Sequence, residues 1–158
     1  MTEGVYHTLI KKEIYKIAQE SKKHKRVVKE RKIPIPHPSK SILPIMYLPE
    51  VCITTKHGKK YIFEILDSQA GDYNLIIADI VQAYLVENVS KIFFIVKTQR
   101  EGDLAYRLSE IIGTRLEENG YNKQYLPEVT VYEIDKVDLS PTTLNKTLLD
   151  FAKKDKWA

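Results

Sequence analysis

A single cysteine, Cys52, leaves the chain without an internal disulfide and without a cysteine-rich zinc site. It lies in an apolar, strand-like stretch, where a packed and inert thiol is expected. The six glycines are scattered and form no loop that could cradle a phosphate. Histidines are few as well. His24 and His37 fall in basic or proline-rich segments without metal-ligand spacing to Cys52, and His7 has no evident partner in its helix. No spacing suggests a Ser, His, Asp triad. No apolar run reaches the roughly 20 residues that span a bilayer, and the start, MTEGVYHTLIKKE, lacks a secretory signal's apolar stretch. A cytoplasmic protein with no membrane contact is therefore expected. Internal repeats and low-complexity tracts are absent too.

What is present is enough for one core. A chain of 158 residues with 43% hydrophobic residues fits a single domain spanning residues 1–158. The net charge of +4 is unevenly placed: residues 11–32 hold ten Lys or Arg against three acids, a net of +7, whereas the rest carries a net of −3. Such a segment suits a polyanion, because neutralised phosphates release counterions. Lys22, Lys23, Lys25, Arg26 and Lys29 are the candidate nucleic-acid contacts. The alternative is a solvated lysine-rich face of the kind found on thermophile proteins.

Hydrophobic periodicity predicts a helix over residues 5–22, with Val5, Leu9, Ile10, Ile14, Ile17 and Ala18 on one side. Residues 26–35 can extend as a strand. Five prolines between residues 34 and 49 then make a long surface loop the expectation, a candidate flap over a groove. Residues 50–66 read as a hairpin with one apolar face and a second face bearing carboxylates. A loop of Lys56-His57-Gly58 would set Gly58 in the left-handed position and Glu50 directly across from Glu64. A two-residue turn would put the glutamates on opposite faces. A second helix is expected over residues 72–87, capped by Asp72 and burying Tyr73, Ile76, Ile77, Ile80, Val81 and Tyr84. The run Ile92-Phe93-Phe94-Ile95-Val96 reads as a strand covered on both faces. A helix over 103–119, a strand over 129–134 and a helix opening at Ser140-Pro141 complete a mixed α+β pattern. Its centre would be a mixed sheet containing the hairpin, flanked by helices.

Two opposed glutamates on one sheet face repel each other, which selection for stability alone would avoid. A divalent cation reverses the sign, and a bound metal can activate water against a phosphodiester. Pro49-Glu50, the hairpin, and Phe63-Glu64-Ile65-Leu66 followed by a helix and a strand resemble the PD-(D/E)XK nuclease superfamily over roughly residues 5–120. The resemblance implies a restriction-endonuclease-like fold, Mg²⁺ or Mn²⁺ held by Glu50 and Glu64, and cleavage of DNA. Two positions depart from the family pattern. Glu50 stands where an Asp is usual, and Leu66 stands where the family has the Lys that orients or activates water. Lys60 shares a face with Glu64 but lies about 13 Å along the strand. A carboxylate can migrate to the neighbouring helix in this family. Of its polar positions, Asp79, Gln82 and Glu87, the candidate chosen is Glu87, with an exposed last-turn residue as the alternative. Glu13 matches an acid that some members place on the first helix. His57, beside Lys56, Lys59 and Lys60, is a candidate phosphate contact or general base, or a plain turn residue.

The resulting expectation is a metal-dependent deoxyribonuclease. Its catalytic candidates are Glu50, Glu64, Glu87 and Lys60, and its partner is double-stranded DNA. The alternatives are a non-catalytic nucleic-acid binder on a degenerate nuclease scaffold, for which Leu66 argues, and a protein-interaction subunit. A homodimer is compatible with all three.

Overall fold

The apolar run around Phe93 dictates the middle of the molecule. In the computed structural model, which describes residues 4–66, 74–135 and 139–158, Ile92 to Val96 are completely buried. They belong to a long interior strand that needs cover on both faces. In chain order the elements are α1 (Val5–Glu20), β1 (Arg26–Lys29), β2 (Ile33–Ile35), β3 (Ile45–Tyr47), β4 (Val51–Thr54), β5 (Lys60–Ile65) and α2 (Asn74–Leu85). There follow β6 (Val89–Val96), α3 (Gln99–Glu118), a short 3₁₀ turn (Lys123–Tyr125), β7 (Glu128–Glu133) and α4 (Pro141–Asp155).

Five strands form one mixed sheet in the order β1-β4-β5-β6-β7. The first three are antiparallel neighbours, whereas β5, β6 and β7 run parallel. Parallel neighbours need crossovers, and α2 and α3 supply them. These helices cover one face, where Ile76, Ile80, Ala83 and Ala105 pack on Cys52, Ile62, Leu66, Ile92 and Phe94. On the other face α1 and α4 bring Ile10, Ile14, Leu144 and Leu148 against Val51, Phe63, Phe93 and Tyr132. Among the described residues no helix is long and apolar enough to cross a membrane.

Cys52 is 3% exposed in this packing, and burial pushes its thiol up to about 11, so it is a core side chain and not a nucleophile. The hairpin carries the expected three-residue loop. Thr55 N–H donates to the Lys59 carbonyl at 2.8 Å, and Gly58 has φ +79°, which a Cβ would strain. The register Val51↔Phe63 and Cys52↔Ile62 continues to Glu50 opposite Glu64.

Several boundaries differ from the sequence pattern. Both faces of the hairpin are buried, so Cys52 and Ile62 lie under helices on the face assigned to carboxylates. The extended stretch over 26–35 divides at Glu30, whose φ is +51°, and the proline-rich segment is no structureless loop. There β2 and β3 form a separate two-stranded ribbon with Pro34 opposite Met46. A ribbon with two free edges tolerates a missing N–H that a central strand would not. Helix α3 begins four residues early because Thr98 and Glu101 make a reciprocal capping box. On α2, Ile77 and Val81 are exposed at 40% each, so its buried stripe is narrower than expected. Asp72 and Tyr73 lie outside the described residues.

Candidate active site at the end of strand β5

Strand alternation sends Ile62, Glu64 and Leu66 to the α2 side of the sheet, and Glu64 is 3% exposed there. A buried carboxylate needs hydrogen bonds. The Tyr47 hydroxyl, brought from β3, donates to Glu64 Oε1 at 2.5 Å. The backbone amide of Glu50 also donates to this carboxyl. From α2 comes Asp79, half-buried, three residues after Ile76 and four before Ala83, on the stripe that faces the sheet.

The helix on the opposite face also reaches this end. Lys11 of α1 is 4% exposed, and its ammonium sits 2.5 Å from Glu30 Oε1 and 3.4 Å from Glu50 Oε2. One turn earlier, His7 donates from Nε2 to the Ile65 carbonyl at 2.9 Å. Four carboxylates (Glu30, Glu50, Glu64 and Asp79), an ammonium and an imidazole thus gather where β5 ends and β4 begins.

The electrostatics of the group are frustrated. Burial first, then the negative charge of Asp79 and of Glu50, hold the Glu64 carboxyl well above the usual range, against the lowering effect of Tyr47 and the Glu50 amide. Asp79 is pushed up to about 6 by burial and then by Glu50, with His7 pulling the other way. The Tyr47 hydroxyl is raised by burial and by Glu64, so it remains a proton donor.

The consequence for stability has a definite sign. Folded Asp79 holds its proton more tightly than the unfolded chain does. The stability it contributes is therefore full below the ordinary aspartate range and is lost as pH rises to about 6. The loss amounts to about 3 kcal/mol. Asp79→Asn is expected to raise the urea midpoint above that window and to flatten the pH dependence within it. An unchanged midpoint at neutral pH would contradict the burial assigned to this carboxyl.

The other sequence candidates lie elsewhere. Glu87 stands beyond α2 in the turn before β6, exposed, and its carbonyl accepts from Lys60 Nζ at 3.1 Å. Lys60 opens β5 and pairs with Thr54, four residues from Glu64, so both mark the opposite end of the sheet, about 13 Å away. Leu66 is fully buried in the apolar cluster under α2. Glu13 accepts from Asn145 of α4 at 2.5 Å, and His57 is exposed in the hairpin loop. His24 donates to the Trp157 carbonyl at 2.7 Å and pins the chain's last residues.

The basic segment is divided as well. Arg26 pairs with Thr54 at the hairpin end, and Lys23 Nζ donates to the Lys156 carbonyl at 3.1 Å. Lys22 and Lys25 flank them in the connection from α1, all exposed. Lys29, opposite Val51, with Arg31 and Lys32 beyond it, lies toward the carboxylates, and its ammonium rests 5.0 Å over the Tyr15 ring.

Asp79 and Lys11 did leave a signal in the sequence. Each is a charged residue inside an apolar helical stripe, Ile76-Asp79-Ile80-Ala83 and Ile10-Lys11-Ile14-Ala18. Tyr47, in a proline-rich stretch, left none.

Among the described residues no three His, Cys, Asp or Glu side chains stand ready as a metal cage. A fit does not require one. Mg²⁺ commonly takes one or two carboxylates and completes its sphere with water and phosphate oxygens. Glu64 and Glu50, with Asp79 adding negative charge beside them, are the carboxylates here that could contribute to such a sphere. The repulsion that raises Glu64 is what a cation would relieve. Comparison with protein-family models, with curated proteins and with solved structures gives no match.

Proposed function

We propose that the protein is a metal-dependent nuclease that hydrolyses phosphodiester bonds in double-stranded DNA. The observation that carries the reading is the convergence of Glu50, Glu64 and Asp79 with Lys11 at one end of the sheet. The mixed sheet, with a hairpin leading through a helix to a parallel strand, accords with a restriction-endonuclease-like fold. Glu50 and Glu64 would hold Mg²⁺ or Mn²⁺, whose contribution is to lower the pKa of a bound water and to offset charge on the phosphate.

The remaining roles fall to the chain. Asp79 takes the place assigned to Glu87, since it comes from α2 at the correct end of the sheet. Lys11 offers the ammonium that Leu66 cannot. Held by Glu30 and Glu50, it would steady negative charge at the reacting phosphate. Tyr47 orients the Glu64 carboxyl through its hydroxyl. Plasmid and linear duplex should be cut in Mg²⁺ and left whole in EDTA.

A second reading, a DNA binder without catalysis, is favoured by the burial of Leu66 and by the engagement of Lys11 with two carboxylates. Protein that binds duplex and never cuts it in Mg²⁺ or Mn²⁺ would establish that reading instead.

Binding itself should follow the division of the basic segment. Replacing Lys29, Arg31 and Lys32 together by Ala is expected to weaken duplex binding regardless of sequence. It should also reduce the slope of log affinity against log salt by up to about three, nearly one for each phosphate that is no longer neutralised. The same change at Lys22, Lys25 and Arg26 should have the smaller effect. The reverse order in a salt titration would place the DNA at the hairpin end.

A further inference from the structure

The ribbon of β2 and β3 leaves the sheet beside the carboxylates and bears an unusual surface. Ile42, Leu43, Ile45, Met46 and Leu48 are 51%, 86%, 63%, 50% and 52% exposed, five apolar side chains within seven positions. Exposed apolar side chains concentrated in one short segment mark a contact site. Its base is anchored in the site, because Tyr47, between Met46 and Leu48, is the residue that bonds Glu64.

The charge around the ribbon selects the partner. Lys29, Arg31 and Lys32 lead into it and Lys40 stands at its tip, all exposed. Two acids occur between residues 26 and 50, Glu30 and Glu50, and both are engaged by Lys11. A second copy of the chain would bring these like charges together. A surface that is apolar at its tip and cationic at its flanks matches a partner that presents apolar faces between rows of phosphates. Stacked base pairs offer that arrangement.

We infer that the ribbon is a wedge that inserts Ile42 and Leu43 between base pairs next to the phosphodiester at the carboxylate site. Lys40, Lys32 and Arg31 contact the flanking phosphates. Apolar wedges of this type unstack a base step, and the cost is lowest where stacking is already weak. The favoured substrate class is therefore duplex DNA with a mismatch, a nick or a branch. Prolines 34, 36, 38 and 44 fix their own φ angles and stiffen the ribbon, so less ordering entropy is lost on insertion. The inference rests on the DNA-binding part of the proposed function and not on cleavage.

The test uses the full chain and duplexes carrying 2-aminopurine, with Ca²⁺ in place of Mg²⁺. Wild-type protein should raise the fluorescence several-fold on binding, more strongly beside a mismatch than in matched duplex. The variant Ile42→Ser with Leu43→Ser alters exposed positions, so it should fold normally by circular dichroism. It should still bind DNA, give no fluorescence rise and lose the preference for the mismatch. Binding by wild type without a rise, or an equal rise from the variant, would overturn the wedge. So would failure to bind duplex at low salt, or a wild-type dimer in sedimentation that the variant breaks, which would make a second copy the occupant. Unstacking by protein that never cuts in Mg²⁺ would leave the wedge standing and remove the nuclease.

Discussion

Glu64→Gln is expected to lower the rate of duplex cleavage by about 100-fold or more while leaving the protein folded. Changing a residue that merely orients a metal ligand costs about 10- to 100-fold, so on the proposed reading, in which Glu64 holds the metal, its loss should reach at least the upper end. Folding should be spared for a local reason. The glutamine keeps an oxygen to accept from Tyr47, and it removes a charge that burial, Asp79 and Glu50 all oppose. Single-turnover cleavage and a urea midpoint on one preparation check both halves. A midpoint that collapses together with activity would mark Glu64 as a structural group.

The second large effect is on stability. Trp157 lies near the end of the chain and is fully buried. Its ring meets Phe63 edge-on at 5.0 Å, and Nε1 donates to the Tyr132 hydroxyl at 3.2 Å. Tyr132 in turn donates to Asp155 and stacks between Phe93 and Phe151. Trp157→Ala removes the centre of this aromatic group, which joins the sheet to α1 and α4. It should cost about 3–5 kcal/mol, a large part of what holds a domain folded. In urea the midpoint should fall with an unchanged slope. A loss under about 1 kcal/mol would mean that the pocket collapses around the smaller residue.

How much of this was legible depends on whether the determining interactions are local. The hairpin itself is readable from Gly58 and a two-residue alternation within fifteen positions, but its register depends on the loop length, and the Thr55–Lys59 pairing is what selects the three-residue loop that sets Glu50 opposite Glu64. The buried strand at Phe93 and the start of α4 at Pro141 are equally local. Asp79 interrupts the apolar stripe of its helix, but that signal alone does not say whether it or Glu87 reaches the carboxylate end of the sheet. Choosing between them needs the direction in which α2 crosses the sheet, from the end of β5 back to the start of β6. Lys11 is marked in the sequence only as a charge inside an apolar helical stripe, and its role emerges once Glu30 and Glu50 are brought beside it. The ribbon was hidden by its prolines, since pairing in β2 and β3 rests on contacts between segments ten residues apart. Trp157 gave no pattern at all, as a lone aromatic beyond a helix acquires its role only from the core it enters.

On the proposed nuclease reading, which end of the sheet carries catalysis is the central question, and one comparison addresses it directly. Cleavage of linear duplex in Mg²⁺ is measured in single turnover for wild type, Glu64→Gln, Asp79→Asn and Glu87→Gln, each confirmed as folded and DNA-bound. Wild type and Glu87→Gln should cut at similar rates, and Glu64→Gln and Asp79→Asn should be severely impaired. An inactive Glu87→Gln beside an active Glu64→Gln would contradict the assignment and move the site to the hairpin end of the sheet.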